Sequence, residues 1–236
     1  MRGQSPPVVF SLRAERALFT RPDLRVERFT YPVPTFGALA GVLRSIYAKP
    51  SFYWVPRRVL IMKPIRYQNI LINEVKTAII TKHPFVAPER RMQKMQTYLY
   101  DVEYVVEAHF EWSGKQPEDE DLPKHMCIFE RALESGGRRD VFLGTRECTA
   151  IAEPLSQGIL FKPARERFNA YVDEWRKKHQ GLSLDVGVMF HGWEWGTGNN
   201  GTDTATIFSA EIRDGILEYP HPGDQDKVIR QRFEPR

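Results

Sequence analysis

With two cysteines in 236 residues, Cys127 and Cys148, and no clustering of either, the chain offers neither a disulfide framework nor the spacing of a zinc site. No apolar run reaches the roughly 18 residues that a membrane helix needs. The N-terminus lacks a positively charged stretch leading into an apolar one, so the expectation is a soluble, cytoplasmic protein with no membrane partner. Internal repeats and low-complexity segments are missing too, as are a Gly-rich phosphate loop and any cofactor signature. The acidic residues are scattered without paired ligand spacing, and neither a metal nor a cofactor is expected.

What the chain does hold is a mild excess of base, 34 Lys and Arg against 30 Asp and Glu, together with 14 Phe, 9 Tyr and 5 Trp. Basic groups beside stacking rings suit nucleic acid, although a net charge of +4 is common on proteins that bind none. The basic residues concentrate in three places: Arg13, Arg16, Arg21, Arg25 and Arg28; Arg90, Arg91 and Lys94; and Arg138 and Arg139.

Alternation of Val8, Phe10 and Leu12 predicts a first strand. A helix follows from a Thr35 cap through Phe36, Leu39, Ala40, Leu43 and Ile46 to Lys49-Pro50, with Tyr47 in its last turn. Residues 52–63 read as a second strand, with Pro56 demanding an edge or a bulge. Val102 to Trp112 alternates cleanly, putting Glu103, Glu107, His109 and Glu111 on a wet face. The connection 65–96 reads as a long functional loop, and 141–148 as a fourth strand.

The predicted fold class is therefore α+β: a ferredoxin-like (RRM-like) βαββαβ N-terminal domain, residues 1–154, with both helices on one face of an antiparallel sheet. Residues 155–236 read as a small antiparallel β C-terminal domain, opened by a helix carrying Phe168, Val172 and Trp175 and containing an Asp214-Gly215 hairpin. Such a fold hosts many functions, so chemistry must come from particular residues.

The segment 123–144 supplies them. Ile128, Phe129, Ala132 and Leu133 recur at helical spacing, Pro123 sits in the tolerated first turn, and Gly136-Gly137 stops the helix. Lys124 and His125 stand at its start. Imidazole exchanges protons near neutrality, helix-start N–H groups favour an anion, and an ammonium stabilises charge building on a phosphorane. The same pair is also what a solvated cap looks like. Of the other histidines, His191, in a Phe-His-Gly-Trp strand segment, is the next candidate.

The ordered motifs Tyr31-Pro32-Val33-Pro34-Thr35, Ser45-Ile46-Tyr47-Ala48-Lys49-Pro50, Met62-Lys63-Pro64-Ile65, Lys124-His125 and the run from Gly136 to Cys148 resemble one family. This is the type I-C CRISPR-associated endoribonuclease, the d subtype (Dvulg) of the fifth Cas protein family, in the RAMP superfamily. The resemblance implies metal-independent cutting of precursor CRISPR RNA at the repeat hairpin, with attack by the 2′-hydroxyl and a 2′,3′-cyclic phosphate product. It also implies retention on the guide RNA 5′ handle, beside the backbone and large subunits of the type I-C surveillance complex. The family's site carries over to Tyr47, Lys124 and His125, with Arg138, Arg139, Arg90, Arg91 and Lys94 as RNA contacts. Ala48 departs from the aromatic that often follows the family's tyrosine, which removes a stacking contact and leaves the phenol.

Three readings stand at this point: the endoribonuclease, a non-catalytic module that only caps the 5′ handle, and a small-molecule enzyme on a ferredoxin-like scaffold, which the fold alone motivates and no cofactor signature supports. A phenol with a reference pKa of about 10 is mostly protonated at neutral pH, which favours Tyr47 as an orienting group over a base.

Overall fold

A computed structural model describes residues 3–24, 26–75, 91–155, 164–179, 181–194 and 204–232. Its core is a mostly antiparallel sheet with few helices. In chain order the elements are β1 (Val8–Ala17), α1 (Phe36–Ile46), β2 (Phe52–Ile61), β3 (Tyr67–Val75), β4 (Arg91–Trp112), α2 (Leu122–Glu134), β5 (Ile151–Pro154), α3 (Ala164–Lys178), β6 (Leu184–Glu194), β7 (Thr204–Arg213), β8 (Ile216–Glu218) and β9 (Ile229–Arg232). Among the described residues nine strands join one sheet in the order β5-β1-β4-β2-β8-β7-β6, with β3 added to β4 and β9 to β7. Strands on either side of residue 154 thus pair directly, through Arg58↔Glu218 to Leu60↔Ile216.

Alternation sorts side chains between the two faces of the sheet. Phe10, Leu12, Val106, Ala108 and Phe110 pack in one cluster with Leu39, Val42, Leu43 and Ile46 of α1 and Phe129, Ala132 and Leu133 of α2. Val9, Leu60 and Val105 point the other way, into a second cluster with Phe168, Val172 and Trp175 of α3. Each fully buried Phe or Leu contributes about 1.5–3 kcal/mol of transfer free energy.

Local chemistry sets the helix ends. The Thr35 hydroxyl accepts from the Ala38 N–H at 3.1 Å and starts α1. Asp121 does the same for α2, accepting from the Lys124 N–H at 3.1 Å. The far end of α2 closes on Gly136 and Gly137, both with positive φ. The next two N–H groups, of Arg138 and Arg139, donate to the last carbonyls of α1, Ile46 O at 3.3 Å and Ser45 O at 3.1 Å. The Gly-Gly-Arg-Arg turn therefore caps two helices at once.

Several expectations are corrected. Residues 141–148 form no strand: the chain turns at Gly144 (φ +87°), leaves only a Phe142–Thr149 bridge, and the strand beside β1 is Ile151–Pro154. Glycine and threonine in 144–145 outweigh the β-prone Val141-Phe142-Leu143. The 65–96 connection is not a loop in its described parts. Tyr67–Val75 pairs residue for residue with Arg91–Leu99, a ribbon whose mixed polarity hid its alternation. Glu107 and His109 are buried, not wet, because α3 and the N-terminal segment cover that face. Pro56 does coincide with a bulge, the register slipping between Pro56 and Arg58 opposite β4.

Two core histidines give the fold a pH dependence. His191 stacks on Phe36 at 4.0 Å between centroids and donates from Nε2 to Pro220 O at 3.1 Å. His109 donates from Nε2 to Glu111 at 3.0 Å. Burial, the largest influence on each, holds both imidazoles below their ordinary pKa. Above about pH 6.5 the folded and unfolded chains are both neutral at these positions. As pH falls below that value the unfolded chain takes up protons that the native chain resists, so stability is lost downward through the folded pKa values. The melting temperature is expected to drop from pH 7 toward pH 5, and to drop less in a His109→Gln, His191→Gln double variant. An unchanged slope in that variant refutes the assignment.

Candidate functional site

The predicted residues meet on the α1–α2 face. Helix α1 ends at Ile46, so Tyr47 is its C-cap and not part of its last turn. Its backbone is extended (φ −158°, ψ 130°), its N–H returns to Leu43 O at 2.9 Å, and its carbonyl accepts from Trp54 Nε1 at 2.7 Å. Leaving the helix there turns the ring toward α2.

On α2, His125, Phe129, Ala132 and Leu133 form the buried stripe at i, i+4, i+7 and i+8, so the imidazole lies on the core side. It is completely buried, among Phe52, Phe110 and Trp112, with centroids 5.2, 6.3 and 5.6 Å away. The Tyr47 hydroxyl is 2.7 Å from His125 Nδ1. His125 Nε2 is 2.6 Å from the carbonyl oxygen of Asp119. A carbonyl only accepts, so Nε2 carries the ring proton; in the neutral ring Nδ1 is then an acceptor, and Tyr47 donates to it. Burial, the largest influence, raises the Tyr47 pKa, with Arg138 pulling the other way, so the phenol keeps its proton near neutrality.

Lys124, half exposed, reaches the mouth of this cluster, its Nζ 2.5 Å from Asp119 Oδ1. The Ser51 hydroxyl donates to the other oxygen, Oδ2, at 3.0 Å. The ammonium holds the Asp119 carboxyl below its usual range, and the carboxylate raises the lysine in return. Sequence reasoning missed both partners. Asp119 lies in an acidic run, 118–121, whose pattern suits a helix start and does not single it out, and Ser51 carries no signal.

Of the other predicted contacts, Arg138 joins the site, its guanidinium 4.7 Å from the Tyr47 ring centroid. Arg139 is exposed beside it. Lys94 and Arg91 lie toward the opposite end of β4 from Trp112, and Lys94 is paired with Glu74 at 2.5 Å. Arg90 lies outside the described residues, as does Arg25. In the early basic segment Arg13 pairs with Glu153, Arg16 with Glu15 and Arg21 with Asp23. His191 is a satisfied packing residue.

The mostly antiparallel sheet has counterparts among solved structures. A crystal structure of a CRISPR-associated protein superposes with a TM-score of 0.70 at 27% identity, covering 97% of this chain and 99% of that one. These features define a mixed α/β protein of the CRISPR-associated class. The family model described as CRISPR-associated protein (Cas_Cas5), for the Cas5d type, matches residues 8–220, and the chain belongs to that family. It is 30% identical over 221 residues to the CRISPR pre-crRNA endoribonuclease Cas5d of Mannheimia succiniciproducens, covering 86% of this chain and 90% of the relative. The protein of the same description from Thermus thermophilus is 32% identical over 223 residues, covering 87% and 88%. No helix among the described residues is long and apolar enough to cross a membrane.

Proposed function

We propose that this chain is a metal-independent endoribonuclease that cuts precursor CRISPR RNA at the repeat hairpin and then stays on the 5′ handle as a subunit of the type I-C surveillance complex. The observation that carries the reading is the Tyr47–His125 hydrogen bond, with Lys124 on the next residue, in a chain related to proteins described as pre-crRNA endoribonucleases. In the proposed reaction the 2′-oxygen bonds to phosphorus and the P–O5′ bond breaks. One proton leaves the 2′-hydroxyl and one arrives on the 5′-oxygen. His125 exchanges these protons, Lys124 offsets charge on the phosphorane, and Tyr47 orients the imidazole. Arg138 and Arg139 hold backbone phosphates, contacts that position RNA without reading its sequence. The arrangement β5-β1-β4-β2 with α1 and α2 on one face supports a ferredoxin-like unit within residues 1–154, followed by the small β-rich part, 155–236.

One observation favours the binding-only reading: His125 is fully enclosed and both of its nitrogens are engaged. Incubating the purified chain with its repeat RNA in EDTA separates the two. Cleavage with 2′,3′-cyclic phosphate and 5′-hydroxyl ends is expected. Intact RNA that is nevertheless bound establishes the capping module instead.

A further inference from the structure

The Nε2 side of His125 is covered by the turn that precedes α2. The 3₁₀ turn Pro117–Asp119 lies between β4 and α2, and Asp119 contacts three groups of the candidate site at once: its carbonyl faces His125 Nε2, one carboxylate oxygen meets Lys124, and the other meets Ser51 and lies 3.5 Å from His125 Nε2. Ser51 is itself completely buried. An ammonium and a hydroxyl donating to one carboxylate, with an imidazole N–H 3.5 Å from it and bonded to the neighbouring carbonyl, make a donor set that suits a phosphate.

We propose that the Asp119 carboxylate occupies the subsite for the scissile phosphate, that Ser51 is a further phosphate-contacting residue, and that RNA binds productively by displacing the turn. This rests on the endoribonuclease reading for its substrate. Two of the turn's backbone bonds, Asp119 N to Gln116 O and Glu120 N to Pro117 O, stay within residues 116–120, and a third, Asp121 N to Asp119 O, joins it to the cap of α2. Gly114, with φ of +68°, stands at its entrance, immediately after Ser113, which is tied to Ser51 O at 2.8 Å and to Pro50 O at 2.6 Å. The Asp119 carbonyl adds a second restraint. While it accepts from Nε2, the neutral imidazole has no lone pair there to receive a proton from a 2′-hydroxyl. Withdrawal frees the phosphate subsite and the ring tautomer together.

The test compares wild type with Asp119→Ala and Asp119→Asn, the second keeping side-chain volume in case the first unfolds. With repeat RNA, kcat/KM is expected to rise about three- to ten-fold in both variants, mainly through a lower KM, as expected when a competing charge is removed from an anion site. Independently of cleavage, inorganic phosphate titrated against the His125 imidazole NMR signals should bind Asp119→Ala at least ten-fold more tightly than wild type, and Ser51→Ala in that background should abolish the gain. Wild type that fails to cut RNA, with this Ser51-dependent phosphate binding intact, removes the nuclease reading and leaves the anion subsite standing. Wild type that cuts, with variants that cut no faster and bind phosphate no tighter, overturns the proposal.

Discussion

His125→Ala is expected to slow cleavage of repeat RNA at least a thousand-fold while hairpin binding stays within about three-fold of wild type. Positioned proton transfer accounts for roughly 10² to 10⁴ in rate, and the imidazole is the group through which the proposed reaction moves both protons. Its removal also leaves the Tyr47 hydroxyl without the acceptor 2.7 Å away, which costs about 1–3 kcal/mol if no water replaces it. His125→Gln separates these effects, since the amide refills much of the space and restores an acceptor without restoring proton exchange. Both variants should therefore lose rate, but the glutamine form should melt closer to wild type. Single-turnover cleavage and filter binding on the same preparations decide the matter, and a rate within ten-fold of wild type in either variant removes His125 from the chemistry.

Gly144→Ala is expected to destabilise the fold by about 4 kcal/mol or to prevent its accumulation, in the range reserved for severe local mechanisms. The backbone at Gly144 has φ of +87°, and a Cβ there would lie 1.9 Å from Leu18 O and 2.6 Å from Leu18 C. Those are main-chain atoms, held by the Leu18 N–H donating to Leu143 O at 3.1 Å, so no side chain can swing aside to make room. Gly41→Ala is the matched control. It lies inside α1 with nothing within 4 Å of an added Cβ, and should stabilise by about 0.5–1 kcal/mol through helix propensity alone. Urea midpoints of the two variants should move in opposite directions, and a Gly144→Ala midpoint equal to wild type refutes the close approach.

The parts legible in the sequence are those fixed by local rules. Thr35 and the spacing from Phe36 to Ile46 announce α1, Val102 to Trp112 alternates as β4 does, and Asp214-Gly215 forms its turn with both residues at positive φ. The parts that were hidden depend on distant partners. Glu107 and His109 have the pattern of a solvated face until α3, more than fifty positions later, lies over it. The stretch 141–148 has strand composition but yields to the contact of Gly144 with Leu18. For the candidate site, Tyr47, Lys124 and His125 were visible from motifs, and their meeting depends on where α1 stops. Asp119 and Ser51 could not be found from spacing, because their relation to Lys124 exists only once the turn before α2 folds back over the end of α1.

The turn that caps both helices changes what substitutions at its arginines report. Arg139→Ala deletes a guanidinium but spares the amide moored to Ser45, so it isolates the proposed electrostatic contact with RNA, whereas Arg138→Ala also removes the guanidinium 4.7 Å from the Tyr47 ring. Arg139→Pro deletes the same guanidinium and also cuts the mooring at Ser45, so whatever it loses beyond Arg139→Ala reports the brace behind the phenol. A segment that looks from outside like a grip for the nucleic acid is, on its inner side, the brace that aims the tyrosine.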